Sequence, residues 1–280
     1  MWIPPEVLAV LAAQAAALAK VAPEHRDRLL AIAREIVAAL EEQLKALAPG
    51  KFTTQHTRVV LVQVRAIVDI LGAEFGERIG SELESIGEVA ARVGRDGLIG
   101  QIDAWADKFA GSVRRIAPAE VAGDLLDPGL LEYYRVSRET YGMEAISKMR
   151  GVLARGPMSG QTLAQTWEQL AEAVSISDVR AERIVRTEAS FAANRRQLLD
   201  AKAADLGLVK SLVTTFDTRT GPDSVFVDGQ TRALDEPFSD NEGRVYQHPP
   251  NRPNDREAMV FVPDTLNDLG PPAEDDTGVP

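Results

Sequence analysis

Val209-Lys-Ser-Leu-Val-Thr-Thr-Phe216 and Val225-Phe-Val-Asp-Gly-Gln-Thr-Arg-Ala-Leu234 are where this chain changes character. The first run is short, apolar and rich in β-branched residues, and it reads as a strand. The second sets Asp228-Gly229 between two extended-looking pieces, and that dipeptide supplies the positive φ angles of a two-residue hairpin turn. Glu236-Pro-Phe and Val245-Tyr246 add short extended pieces, and Val260-Phe-Val262 reads as a last strand. Nothing before Leu208 carries a strand pattern of comparable clarity. The expected fold class is α+β with segregated elements: a long, mostly helical N-terminal region, a small subdomain containing a β-hairpin, and an extended tail.

Upstream, Ala and Leu dominate, which favours helix because neither loses much side-chain freedom there. Pro4-Pro5-Glu6 suits a helix start, and the first helix is expected to run to about Lys20. Pro23-Glu24 then opens a second, with Leu29, Leu30, Ile32, Ala33, Ile36, Val37, Leu40, Leu44 and Leu47 at a helical period. Thr53 or Thr54 caps the next, whose stripe is Val59, Val60, Val62, Val64, Ile67, Ile70 and Leu71; many are β-branched, but the length of the run favours helix. Glycines 72, 76, 80, 87, 94, 97 and 100 predict shorter or kinked helices, since each interior Gly costs about 1 kcal/mol relative to Ala. The four-residue spacing of Gly72, Gly76 and Gly80 is also one that lets two helices approach closely, but in a soluble, charged context chance is the commoner source of it. Leu130 to Leu153 reads as a further helix. Ser159 is a candidate N-cap before a helix with Leu163, Trp167, Leu170 and Val174 on one face. Ser177-Asp178 caps a long helix that Gly207 closes after about Leu206.

The net charge of −11 is unevenly placed. Residues 211–280 hold five Arg, no Lys and fourteen Asp or Glu, whereas residues 1–210 are close to balanced. That distribution argues against a DNA-coating protein, because phosphate affinity comes largely from Lys and Arg. The chain has no cysteine, which excludes disulfides and any thiolate-bound metal. Met1-Trp-Ile-Pro-Pro-Glu lacks the basic region of a signal peptide. The apolar run from Val7 to Ala19 is shorter than a membrane span and contains Gln14, so a buried or partner-facing helix is expected there and no membrane association. Residues 264–280 are acidic, rich in Pro and Gly, and predict an extended tail.

No nucleophile–base constellation is evident, and there is no phosphate-cradling loop or nucleophile elbow. The histidines, His25, His56 and His248, are scattered. Asp217, Asp223, Asp228 and Asp235 offer oxygen ligands for a hard cation, but their spacing matches no calcium loop. No catalytic, cofactor-binding or metal-binding residues are assigned. Arg180, Arg183 and Arg186 share a helical face, with Arg195 and Arg196 two to three turns on. Such a face contacts DNA phosphates or an acidic partner, or is simply solvated and paired with Glu182 and Glu188. The absence of interleaved aromatic residues favours the solvated face.

Residues 156–262 resemble a known family, the phage Mu F-like minor head (head morphogenesis) proteins. The resemblance starts at Gly156-Pro-Met-Ser-Gly-Gln-Thr-Leu163 and continues through Arg180-Ala-Glu-Arg-Ile-Val-Arg-Thr-Glu-Ala189, with Thr187, Glu188 and then Asn194. Thr215-Phe-Asp-Thr-Arg-Thr220, containing Asp217, Arg219 and Thr220, is similar to the family's strand end. Asp228-Gly229 and Pro249-Pro250-Asn-Arg-Pro253-Asn254, followed by Arg256, come in the family's order. Many members carry cysteine and histidine in this region. Here Gly221, Ser224, Arg252, Asp255 and Glu257 occupy those positions, so a soft-metal clasp has no thiolate or imidazole. Arg252 and Arg256, opposite Asp255, Glu257 or Asp217, are expected to close the same fold by ion pairs.

The resemblance implies a structural bacteriophage protein without catalysis of its own or a cofactor. It would sit in the virion head near the portal after synthesis in the host cytoplasm, and act in head assembly and DNA packaging or delivery. Its implied partners are the portal protein, with major capsid or scaffold proteins and packaged DNA as further ones, and its copies would follow portal symmetry. Residues 1–155 lie outside the resemblance and would form a portal-docking segment, followed by the 156–262 domain and a 263–280 tail. Two alternatives stay open. One is a Mu F-like toxin or effector such as an ADP-ribosyltransferase; the other is an internal DNA-binding virion protein.

Overall fold

The computed structural model describes residues 2–47, 54–155, 163–214, 222–253 and 257–266. Helices α1 (Pro5–Leu47), α2 (Thr54–Lys108), α3 (Pro128–Arg155), α4 (Leu163–Val174) and α5 (Asp178–Ala204) precede strand β1 (Leu208–Val213). A short helix α6 (Pro222–Val227) then leads to β2 (Thr231–Ala233), β3 (Phe238–Ser239), β4 (Val245–Tyr246) and β5 (Ala258–Pro263). Strands β2-β1-β5 form one antiparallel sheet and β3-β4 a separate ribbon. This is the α+β arrangement, helices first and strands last, that the sequence predicts. The expected caps at Thr53 and Ser159, the strand end at Phe216 and the tail beyond residue 266 lie outside the described residues.

The chain forms two compact units, and they are not sequential. A sheet unit comprises Met1–Val21, Gly87–Leu126 and Arg186–Pro280, and a helical unit comprises Ala22–Ile86 and Asp127–Val185. Helices α1, α2 and α5 each contribute a segment to both, so compactness does not follow the expected division at residue 156.

In the helical unit, α1 buries Leu29, Ile32, Ile36, Leu40 and Leu44, and α2 buries Val64, Val68, Leu71, Phe75, Ile79 and Leu83. The α1 stripe is the one the sequence predicts; on α2 Val60, Val64 and Leu71 are buried as expected, whereas Val62 and Ile70 of the expected stripe are exposed because they fall on the opposite side of the helix. Two further expectations fail. Helix α1 runs unbroken through Pro23, where a break was expected. An interior proline forgoes one backbone hydrogen bond and costs roughly 3 kcal/mol. Here the helix is held just past it: His25 is buried and its Nδ1 lies 2.5 Å from Glu82 Oε1 on α2. Continuity also makes α1 long and apolar enough to cross a membrane by length and composition alone, with a mean hydropathy of 1.4 over its most apolar 18-residue window. In the sheet unit, however, Val7 of that run is fully buried and Gln14 Oε1 accepts a hydrogen bond from Gln197 Nε2 at 2.9 Å.

Helix α2 is likewise a single 55-residue helix rather than several short ones. Its glycines are sites of close approach. A Cβ on Gly76 would lie 2.5 Å from the Arg138 carbonyl oxygen and 2.7 Å from Gly142 Cα; on Gly72 it would lie 2.4 Å from Ile146 Cγ1. The propensity lost at these positions is offset by contact between the α2 and α3 backbones, which no side chain would permit. Arg138 reaches Glu77 at 2.9 Å and Glu84 at 2.6 Å, and Arg150 grips Asp69 with two bonds of 2.9 and 2.7 Å, so polar groups flank the same seam.

In the sheet unit, Val7, Leu98, Ile102, Trp105 and Leu198 pack against Leu212, Phe238 and the β5 residues Met259–Val262. Strand β5 is an edge strand, and α2 covers that edge with side chains. Gln101 Oε1 accepts from Phe261 N at 3.0 Å and its Nε2 donates to Met259 O at 3.4 Å, while Trp105 Nε1 donates to Phe261 O at 3.0 Å. All these groups are buried.

Gly76→Ala is expected to destabilise the protein by about 1–3 kcal/mol through overpacking. Gly123→Ala, where a Cβ meets nothing within 4 Å, serves as the control. Urea unfolding of both variants checks the difference.

Candidate functional site

The region singled out by the sequence is organised around α6. Pro222 and Asp223 open this helix, in keeping with proline in a first helical turn and an acid near the N-terminal dipole. Asp228-Gly229 closes it instead of forming a two-residue hairpin. Asp228 N donates to Ser224 O at 3.1 Å, Gln230 N to Val227 O at 3.0 Å, and Gly229 has φ +74°. The positive φ that Asp-Gly signals is present, but it serves a helix end. Strand β2 consequently pairs with β1, in the register Ser211↔Thr231 and Lys210↔Arg232. The run read as the hairpin's first strand leaves Val225 and Phe226 more than half exposed and buries only Val227.

Around α6 the chain is closed by charge. Arg252 pairs with Asp223 through Nη1, and its Nη2 donates to Ser224 Oγ at 3.3 Å. Arg244 lies 2.6 Å from Asp240 and 3.9 Å from Asp223. Asp240 Oδ1 also accepts the backbone N–H groups of Glu242 and Arg244, both at 2.9 Å. Burial pushes the Asp240 carboxyl up, but the Arg244 side chain and these two N–H donors outweigh it and hold it below the ordinary aspartate value. Asp228 Oδ1 accepts from Thr214 N at 2.7 Å, tying α6 to the end of β1. Arg252 makes an ion pair with Asp223, which is not among its expected partners; of those partners Glu257 is buried and accepts a hydrogen bond from Tyr246 OH at 3.2 Å. Asp217, Arg219, Thr220, Gly221, Asn254, Asp255 and Arg256 lie outside the described residues. Pro249 and Pro250 are joined by a cis peptide bond within the return, and Pro253 is exposed.

Lys210 was not picked out by the sequence reading. It sits fully buried on the central strand, donates from Nζ to Gln247 O at 2.8 Å and Oε1 at 3.0 Å, and lies 4.9 Å from the centre of the Phe238 ring. It thus joins the three-stranded sheet to the β3-β4 ribbon. Burial pushes its ammonium group down to about 8; Lys202 adds to the drop and Asp235 and Glu236 oppose it.

The other predicted residues do not converge on a site. Arg180 is 3.2 Å from Glu144, and Arg183 and Arg186 are exposed. Arg195 is half-buried. Arg196 is buried, paired with Asp200 and donating to Asp124 O at 2.7 Å, so it cannot belong to a surface face. Asp200, itself fully buried, is also held by Arg95 at 3.1 Å. Glu188 and Asn194 are buried and Thr187 is half-buried, which makes the α5 motif largely inward-facing. Of the four aspartates weighed as cation ligands, Asp223 and Asp228 are engaged as above and Asp235 pairs with Lys202 at 2.6 Å. Among the described residues no group of three or more His, Cys, Asp or Glu is placed to hold a metal ion. His248 Nδ1 lies 3.0 Å from Pro249 O, with its ring centre 4.9 Å from that of Phe191. Comparison with protein families, with curated proteins and with solved structures finds no match.

Arg252→Ala is expected to cost about 1–2 kcal/mol, because it removes a charge-assisted bond and leaves Asp223 short of its partner. Urea unfolding with and without a chelator measures the loss, and the chelator itself should shift nothing. For Lys210, the folded chain binds the proton less tightly than the unfolded chain. Stability should therefore rise with pH between about 8 and the ordinary lysine value of 10.5. Thermal unfolding across that range should show a rise that is absent in Lys210→Met.

Proposed function

We propose that this chain is a structural minor head protein of a tailed bacteriophage, placed at the portal vertex and acting in head assembly and in DNA packaging or delivery. The observation that carries the reading is the contact between Ser224 and Arg252. These are two of the positions at which the Mu F-like family commonly carries soft metal ligands, and here they meet through a hydroxyl and a guanidinium that also binds Asp223. The ordered motif set along residues 180–253 supports the same reading, as does the inward placement of Glu188 and Asn194, which suits a motif that holds a fold. Burial of Glu188 favours this structural role over a catalytic one in an effector enzyme.

In this reading the protein carries no catalysis of its own. Helices within residues 1–155 dock on the portal, several copies follow portal symmetry, and capsid, scaffold or packaged DNA are secondary contacts. Deleting 1–155 would also remove Gln101 and Trp105 from the sheet unit, so docking is better tested by substitution on the full chain. Leu131, Val136 and Met143 are exposed apolar residues of α3. The full chain, co-expressed with the portal protein of its own genome, is expected to co-purify with it and to enter assembled heads. Leu131→Asp with Met143→Asp should weaken both. Heads that assemble, package and infect normally without the chain would remove the reading.

A further inference from the structure

The helical unit contains an open groove of about 820 Å³ between the part of α1 that follows Pro23 and the α4–α5 junction. Its floor is apolar: Leu30 and Val37 from α1, Ala171 from α4, and Ile176 from the junction. The walls differ in charge. On the α4–α5 side stand Glu172 and Asp178, both exposed. On the α1 side stand Asp27 and Arg34. Asp27 is answered by Arg26, which donates to it at 3.0 and 2.7 Å, and Arg34 bends back along its own helix to donate to Leu30 O at 3.1 Å. Arg26 also acts electrostatically on Asp178, so the α4–α5 wall is acidic chiefly at Glu172, and the α1 wall is neutral to basic. The volume falls within the range of ligand-binding clefts, about 300–1,000 Å³. By comparison, the neighbouring cavity beside Phe75 and Tyr141 holds about 20 Å³.

We infer that this groove is a docking site for an amphipathic helix with a basic flank. An apolar floor between helices accepts the apolar edge of a third helix, anchored by residues one turn apart. The acidic wall then selects for Lys or Arg on one side of those anchors, and Arg34 disfavours them on the other. This polarity fixes the direction of rotation of the guest helix about its axis, so a peptide of the opposite charge is rejected although its apolar face is the same. The inference stands independently of the virion reading, because it uses only groove shape and charge.

The test uses the full chain and two synthetic helical peptides with the same leucine stripe, one flanked by lysine and the other by glutamate. The lysine peptide should bind saturably by isothermal titration, and the glutamate peptide about tenfold or more weakly. Hydrogen exchange should show new protection in α1 around residues 30–37 and at 171–176. In the double variant Glu172→Lys with Asp178→Lys, whose changes are at exposed positions, the preference should shrink or reverse while the helical circular dichroism is unchanged. Val37→Glu should weaken both peptides. Equal binding of the two peptides, protection elsewhere, or affinities unchanged in the charge-reversed variant would overturn the inference. So would the absence of saturable binding.

Discussion

The sheet unit depends on how the outer edge of β5 is satisfied. A strand edge presents N–H and C=O groups that must find partners, and once a helix covers the edge, water is no longer available to them. Helix α2 covers it and supplies replacements: the Gln101 amide acts as both donor and acceptor, and the Trp105 indole acts as a donor. Because these three bonds engage main-chain atoms of residues 259 and 261, they fix the strand along its length as well as its distance from the helix. The antiparallel register with β1 follows, and with it the burial of Lys210 opposite Phe261. Within the same unit, Gly94 and Gly97 leave room for Ala193 of α5 and Gln14 of α1, so two further helix segments share this core.

Periodicity made the helices legible and also explains the errors. Leu29, Ile36 and Leu40 on α1 and Val60, Val64 and Leu71 on α2 announce their buried faces, and Ser177 and Gly207 mark the ends of α5 through local hydrogen bonding and a φ of +58°. These signals are local. Pro23 was misread because its cost is local while the contacts that outweigh it, such as His25 with Glu82, come from a residue 57 positions away. Asp228-Gly229 was misread because a positive φ serves a helix end as well as a hairpin. Gln101 and Trp105 carried no signal, since a glutamine on a helix looks like a surface residue until a strand edge is brought to it. The spacing of the glycines at 72 and 76 reads as chance more readily than as close approach, yet close approach is what they provide, and the breaks expected there do not occur; the same missing side chain underlies both.

Among the described residues the closure around α6 is made of several separate contacts. A metal site concentrates closure in one point, with coordination geometry fixing several segments at once. Here the work is divided among Arg252 with Asp223 and Ser224, Arg244 with Asp240, Asp228 with the Thr214 N–H, and Lys210 with Gln247. The Arg252 and Arg244 pairs are modest and partly exposed, whereas Lys210 is buried, and none alone would order the segment. Their number compensates, and their chemistry makes the closure sensitive to pH. Asp240 is held below its usual value by donors in the folded chain. Its contribution is therefore complete above the ordinary aspartate range and is lost as pH falls through the lower folded value.

The α5 motif invites a last distinction, between residues that mark identity and residues that make contact. Glu188, Asn194 and Arg196 are buried, and Arg196 shares Asp200 with Arg95 inside the sheet unit. A guanidinium committed to a buried carboxylate and a backbone carbonyl has no charge to offer a phosphate, whatever its spacing from other arginines along the helix. The motif constrains packing, so it is informative about shape and poor at naming a partner. Surfaces free to recognise something lie where the motif is silent, on exposed groups such as Met143 of α3 and the acidic wall formed by Glu172 and Asp178. There the sequence is bound by complementarity to an occupant and not by the demands of the core.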